Sequence, residues 1–180
     1  RFLDEHSSMA RVRAAMPSGF DPELWRSFAE MGGFGTRVPE SQGGSGLGLL
    51  DASLLMEETG RTLASGPLAE GIIAARILAA CGDAGSELLG KLLAGDAVVT
   101  LALHDVSTAS SQWVAGGAVA DSVIARDGDA LYLVSPTADE RQLLPNLAST
   151  PMARVQLDRS DRAPLASGAD AVAAFSSGLE

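Results

Sequence analysis

Few residues in this chain have both the type and the spacing for chemistry. Gly44-Ser45-Gly46-Leu47-Gly48 looks like a phosphate-cradling loop. Such loops work where a strand delivers them to a helix N-terminus within a βαβ unit. Here a helix and Pro39 come first and the first glycine pair has the wrong offset, so the run reads as a structural turn. His6, His104 and the single Cys81 stand too far apart to make a recognisable zinc site, so no metal site is expected. No Gly-x-Ser-x-Gly elbow is followed by a histidine and an acid in hydrolase order. Glu57 and Glu58 are adjacent on a helix and face different directions, one expected toward solvent and the other anchoring a neighbouring loop. What remains is His104 at the end of a β-prone run, and Trp113 just before Gly116-Gly117. Taken alone, these read as a partly exposed strand-end histidine and a packed core indole.

The elements that must position these residues change character near residue 97. Phe2 to Met16 reads as a first helix ending near Pro17. Asp21 caps the next, Pro22 takes its first position, and Leu24, Trp25 and Phe28 form its apolar stripe. Pro39 forces Val38 out of helical geometry, and the glycines from Gly43 to Gly48 free the backbone for positive φ. Asp51 suits the start of the following helix, Leu50, Leu54 and Leu55 its apolar face, and Gly60 a left-handed cap at its end. Pro67 to Ala80 is a strongly apolar helix stopped by Cys81-Gly82. Ser86 caps another, burying Leu88, Leu89, Leu92 and Leu93 and ending at Gly95. Beyond it, Val98–Leu103, Val119–Ala125, Ala130–Val134 and Ala153–Leu157 are short β-prone runs. Asp127-Gly128-Asp129 joins two of them as a hairpin turn. Ala169 to Phe175 begins a further helix. The expected fold is therefore multidomain α and β: an all-α helical bundle over 1–97, a small antiparallel β-barrel or sheet over 98–165, and the start of a second helical part over 166–180.

Bulk composition narrows the function classes. The 180 residues are 46% hydrophobic, enough for a real core, and carry a formal net charge of −10. That balance argues against a nucleic-acid partner, which needs a clustered basic footprint. No apolar run approaches the roughly 18–20 residues of a membrane span. Acidic residues interrupt Arg1-Phe2-Leu3-Asp4-Glu5 too early for a secretory leader. One cysteine forbids an intrachain disulfide and suits a reducing cytoplasm.

Three ordered motifs carry a resemblance. Leu24-Trp25 and Phe28-Ala29-Glu30-Met31-Gly32-Gly33-Phe34 lead into Val38-Pro39-Glu40 and the glycine run; Glu57-Glu58-Thr59-Gly60-Arg61 follows; then Gly82-Asp83 and Ser86 to Asp96. This order resembles the N-terminal helical domain of the acyl-CoA dehydrogenases, flavoenzymes that oxidise the α,β bond of acyl-CoA thioesters. The resemblance implies FAD as cofactor, an acyl-CoA substrate, an electron-transfer flavoprotein as acceptor, and a dimer or tetramer. It places Leu101, Leu103 and His104 on the strand whose backbone and threonine contact the flavin ring, with His104 at the threonine's position and Asp105 and Val106 in place of a glutamate and a proline. Trp113 to Asp121 is similar to the family's Trp-Ile-Thr-Asn-Gly-x-x-Ala-Asp, in which the indole packs on the isoalloxazine; Ala115 stands where a hydroxyl is expected. The helix from Pro67 to Ala80 would line the acyl pocket, although core packing explains its apolar character equally well. The family's base is a glutamate on a C-terminal bundle that this sequence does not supply, so no catalytic residue is identified. Only Ser107 to Gln112 stands in for a hairpin containing Gly-Ser-Asp. Besides a dehydrogenase subunit, these departures suit a non-catalytic structural partner in a heteromeric enzyme; a flavin monooxygenase of the same superfamily keeps the fold without positive support.

Overall fold

The computed structural model of the protein describes residues 2–16 and 18–179. Its first two helices, α1 (Phe2–His6) and α2 (Met9–Ala15), replace the single helix expected over this stretch. Two serines make the break. The Ser7 hydroxyl is buried and donates to the Thr62 carbonyl at 3.1 Å. Ser8, in extended geometry, accepts from the Arg11 amide and caps α2. The expected stop at Pro17 lies outside the described residues. Helix α3 (Pro22–Glu30) begins as its sequence requires, with the Asp21 carboxylate accepting from the Glu23 and Leu24 amides at 3.0 and 3.1 Å. Arg11 grips the same carboxylate with two hydrogen bonds of 2.9 and 2.8 Å, pinning α2 to the start of α3.

The buried face of α3 delivers Trp25 and Phe28 to Phe34, and the three rings form the aromatic centre of the helical region. After a 3-10 turn (Glu40–Gln42) comes α4 (Leu49–Arg61), whose packing departs from expectation in two ways. Leu50 and Leu54 are exposed, while Ala52 and Thr59 turn inward and Leu55 and Met56 are half-buried. Gly60 does not cap the helix, because the Thr62 hydroxyl continues the pattern onto the Glu58 carbonyl and the left-handed turn falls at Leu63 instead. Helix α5 (Leu68–Ala80) is apolar on almost every side and forms the axis of the molecule, packed against α4, α6, α7 and β1. Helix α6 (Asp83–Leu93) starts three residues before the expected cap. Ser86 is inside it and bonds back to the Asp83 carbonyl. Leu89 and Leu92 are buried, Leu88 and Leu93 only half so.

Six strands follow: β1 (Val99–Leu101), β2 (Ser111–Val114), β3 (Ser122–Asp127), β4 (Ala130–Val134), β5 (Ala153–Gln156) and β6 (Ala163–Ser167). They form two sheets, ordered β1-β3-β4-β6 and β2-β5. The Asp127-Gly128-Asp129 turn, with Gly128 at φ +63°, produces the β3–β4 hairpin as its sequence indicates. One pairing departs from the antiparallel expectation: β1 and β3 run parallel, because the chain crosses into the second sheet through β2 before returning. Strands β2 and β6 have no β-prone signature in sequence. Strand β6 contains Pro164, which the edge position tolerates. A small apolar core of Val106, Val114, Val123, Val134, Val155 and Leu157 packs in this region. The final helix, α7 (Ala169–Leu179), returns to lie against α5, where Gly178 leaves room for Ile77.

Candidate functional site

The site residues gather around the free edge of the first sheet. Strand β1 is an edge strand. The Ser122 amide donates to the Val98 carbonyl and the Ala102 amide to the Ile124 carbonyl, so even-numbered residues of β1 face β3. The intervening Val99 and Leu101 turn their amide groups to the unpaired edge. The Leu101 side chain, by contrast, is core, at 3% exposure. Two residues on, Leu103 leaves the strand and is 65% exposed.

Gln112 holds the next segment in place. Its buried side-chain amide accepts from the His104 N–H at 3.0 Å and donates to the His104 carbonyl at 2.7 Å and the Ala109 carbonyl at 2.9 Å. The His104 backbone is thereby fixed, while the residue itself is exposed. Strand alternation then dictates what lies beside Gln112: Gln112 and Val114 point inward, and Trp113 points out. Trp113 is 57% exposed, so the expectation of a core indole is corrected by its place on the outer face of β2. The Arg154 guanidinium, on the paired residue of β5, stands 6.0 Å from the centre of its ring and donates to the Ser111 hydroxyl at 3.0 Å. Ala115 is half-buried; its carbonyl accepts the hydroxyl of the fully buried Thr100 at 2.6 Å. Gly116, at φ +76°, passes so close to Pro67 that a Cβ there would lie 2.7 Å from the proline ring. The turn after Trp113 is thus seated on the start of α5. Asp121 closes the motif by accepting from the Val98 amide at 2.8 Å, which fixes where β1 begins.

The short run after His104 is folded on itself. Asp105 accepts the Ser107 hydroxyl at 2.6 Å and its amide at 2.9 Å, caps the Gly128 amide and pairs with Arg126 at 3.2 Å. The Ser107 hydroxyl, followed by backbone donors and Arg126, holds this carboxyl below the usual carboxylate range despite partial burial. The Ser107 and Thr108 hydroxyls are therefore spent inside the turn.

The glycine run is a turn and not an anion cradle: at Gly44 a Cβ would stand 2.1 Å from the Val38 carbonyl oxygen, and the Asp51 carboxylate already accepts the Gly48 amide at 3.0 Å. Glu57 and Glu58 are both exposed, and Glu58 pairs with Arg61, which also reaches Asp4. His6 ends α1 and Cys81 caps the end of α5. Leu101, Leu103, His104, Trp113 and Ala115 thus fall on β1, β2 and their immediate continuations. Gln112, Thr100 and Arg154, which set their geometry, could not be singled out because their partners are distant in sequence.

Residues 1–96 match the acyl-CoA dehydrogenase N-terminal domain. Acyl-CoA dehydrogenase IpdE2 of Mycolicibacterium smegmatis is 36% identical over 132 residues, covering 72% of this chain and 40% of that protein. The solved steroid acyl-CoA dehydrogenase Tcur3481-Tcur3483, a variant form, superposes with a TM-score of 0.75 at 25% identity, covering 99% of this chain and 58% of that one. The ChsE4-ChsE5 complex of Mycobacterium tuberculosis shares the fold, with a TM-score of 0.69 at 24% identity over 96% of this chain and 56% of that one. The chain thus spans about two fifths of the length of such curated relatives. Among the described residues no helix is long and apolar enough to cross a membrane.

Proposed function

This chain belongs to the acyl-CoA dehydrogenase family, and from that premise we propose that it is a flavin-dependent subunit for α,β-oxidation of an acyl-CoA thioester. The observation that carries the reading is the open edge of β1 at Leu101, continued by exposed Leu103, with the outward-facing Trp113 on the strand whose Gln112 holds the His104 backbone. An exposed indole and leucine beside unpaired strand amides suit a flat heteroaromatic ring with a polar rim. FAD bound there would supply the hydride acceptor that amino-acid side chains lack.

The chain's own residues have separate tasks in this reading. Trp113 gives the ring an apolar surface, and Arg154 places positive charge beside it. Leu101 offers a backbone donor and acceptor along the edge, and Leu103 excludes water next to them. His104 has its backbone committed to Gln112, so its imidazole is the part available to a ligand. Ala115 contributes position without a hydroxyl, its carbonyl being held by Thr100. No residue of the chain is assigned as the α-proton base. A cytoplasmic location, electron-transfer flavoprotein as acceptor, and assembly with dehydrogenase-like subunits belong to the same proposal; the ChsE4-ChsE5 complex is a fold neighbour.

The test is FAD titration of the intact protein, with and without a co-expressed dehydrogenase-like partner. Visible flavin bands are expected, and Trp113→Ala or Leu103→Ala should weaken FAD at least tenfold. Both side chains are more than half exposed, so the melting temperature of the cofactor-free protein should hardly move. Protein that never acquires flavin under either condition would overturn the reading.

A second reading is favoured by one observation. The Ser107 and Thr108 hydroxyls close onto Asp105, and the neighbouring turn is tied to the β3–β4 hairpin through Gly128, so these two hydroxyls are taken from a thioester or cofactor. On this reading the chain buttresses a partner's site. Turnover of acyl-CoA by the chain alone would end it.

A further inference from the structure

Among the described residues, one buried arginine of the helical region has no paired counter-charge. Arg37, in the segment between α3 and α4, is 8% exposed. Its Nε is buried with no hydrogen-bond partner. Among the described residues only its Nη1 reaches an acceptor, the Gly178 carbonyl at 3.5 Å, which is long for such a bond. Burial, and then the like charge of Arg76, disfavour its charged form. Among the described residues no carboxylate pairs with either arginine. Burying a guanidinium in this way is costly unless something supplies the missing charge.

Arg37 also lines an open-mouthed cleft of about 270 Å³ between α4 and α5. The other walls are mostly apolar, including Ala52, Met56, Ile72 and Ile73. Ser53 lies there too, but its hydroxyl is turned to the Leu49 carbonyl at 2.8 Å. The cleft therefore offers one unsatisfied cationic donor set at one place and hydrocarbon everywhere else. We propose that it binds a small amphipathic monocarboxylate, with the carboxylate on Arg37 and the hydrocarbon tail between α4 and α5.

Size and charge both favour that class. An apolar cavity of about 150 Å³ accommodates benzene, with its six non-hydrogen atoms, so this cleft has room for about ten. Octanoate has that number. Arg37 is the one cation among the residues lining the cleft, and its planar fork matches a carboxylate. Phosphate would bring a second charge and press unpartnered oxygens against Met56 and Ile72. None of the lining residues belongs to β1 or β2, so the proposal does not depend on flavin.

Calorimetric titration of the intact protein with octanoate, 1-octanol and inorganic phosphate tests it. Octanoate should bind at least tenfold more tightly than octanol, and phosphate should not compete. Arg37→Met keeps the length of the side chain and should abolish the preference for octanoate over octanol. Ser53→Leu retains the arginine but fills the cleft, and should weaken octanoate at least tenfold. Equal binding of octanoate and octanol, competition by phosphate, or an unchanged preference in Arg37→Met would each overturn the proposal. If Arg37→Met does not fold, unaltered octanoate affinity in Ser53→Leu does so by itself. Release of a bound subunit from Arg37→Met, without change in octanoate affinity, would assign the arginine to a protein carboxylate instead.

Discussion

Gly71 puts the packing of the central helix to a quantitative test. It lies within α5, where alanine is ordinarily better than glycine by roughly 1 kcal/mol. A Cβ at this position would stand 2.6 Å from Phe34 Cε1, 2.8 Å from Cδ1 and 3.0 Å from Trp25 Cη2. Carbon atoms prefer separations of about 3.5–4.0 Å, so the rings would have to retreat by about 1 Å. They have nowhere to go: Phe34 and Trp25 are 0% and 2% exposed, their centroids are 4.2 Å apart, and Phe28 closes the far side at 5.0 Å. Overpacking of this kind costs about 1–3 kcal/mol, and a site with no give belongs at the upper end. Offset by the helix preference, Gly71→Ala should lose about 2 kcal/mol. Gly90 on α6 is the matched control, since nothing lies within 4 Å of its Cβ position. Gly90→Ala should gain roughly 0.5–1 kcal/mol. In urea unfolding followed by far-ultraviolet dichroism, with equal slopes, the two variants should fall on opposite sides of the parent. In melting temperature the loss at Gly71 corresponds to about 4–8 °C. A Gly71→Ala protein as stable as the parent would refute the packing argument.

Four further substitutions probe the charges and clamps. Asp21 is pushed up by burial but pulled further down by Arg11 and the Leu24 and Glu23 amides, so its net value is depressed. The stability it gives is present above about pH 4 and is lost as pH falls through the folded value; Asp21→Asn should therefore lie below the parent at pH 6 and converge with it in acid. Glu70 has the opposite sign, because burial raises its carboxyl. Its contribution is intact below about pH 4 and is lost as pH rises, so Glu70→Gln should be more stable than the parent at pH 7 and lose that advantage in acid. Thr100→Val leaves the Ala115 carbonyl without its buried donor and should cost about 1–3 kcal/mol in chemical unfolding. Gln112→Leu removes three hydrogen bonds around His104 and Ala109; faster amide hydrogen exchange over 103–110 is the expected sign, and unchanged protection would count against the clamp.

Much of the fold was legible in the sequence where local chemistry sets it. Asp21-Pro22 starts α3, the Asp-Gly-Asp turn makes the β3–β4 hairpin, and Cys81-Gly82 ends α5 because the backbone has no cheaper alternative at those residues. The misreadings share one cause: a distant partner outweighed a local preference. Ser7 breaks the first helix because its hydroxyl finds Thr62, and Leu50 and Leu54 stay exposed because the face of α4 turned to α5 is the one bearing Ala52 and Thr59. Strand β2 was missed for the same reason. Four residues with mixed polarity become a strand only because β5 pairs with them.

The site was legible as motif but not as geometry. The order of Leu101, Leu103, His104 and Trp113 could be read along the chain, yet whether the indole lay inside or outside depended on β2 being a strand with Gln112 turned inward. Once Gln112 is buried to hold His104, a period of two leaves Trp113 no choice but the outer face. The seat of that strand is equally non-local, since Gly116 rests on Pro67 and Thr100 holds Ala115. Helix α5 thus does two things at once. Pro67, which caps its start, sets the height of the turn that follows the indole, and its body carries the strand whose free edge faces outward. A helical region and a sheet region that fold around one shared helix cannot shift independently, which is why the exposed apolar surface at Leu103 and Trp113 has fixed positions without either side chain being packed.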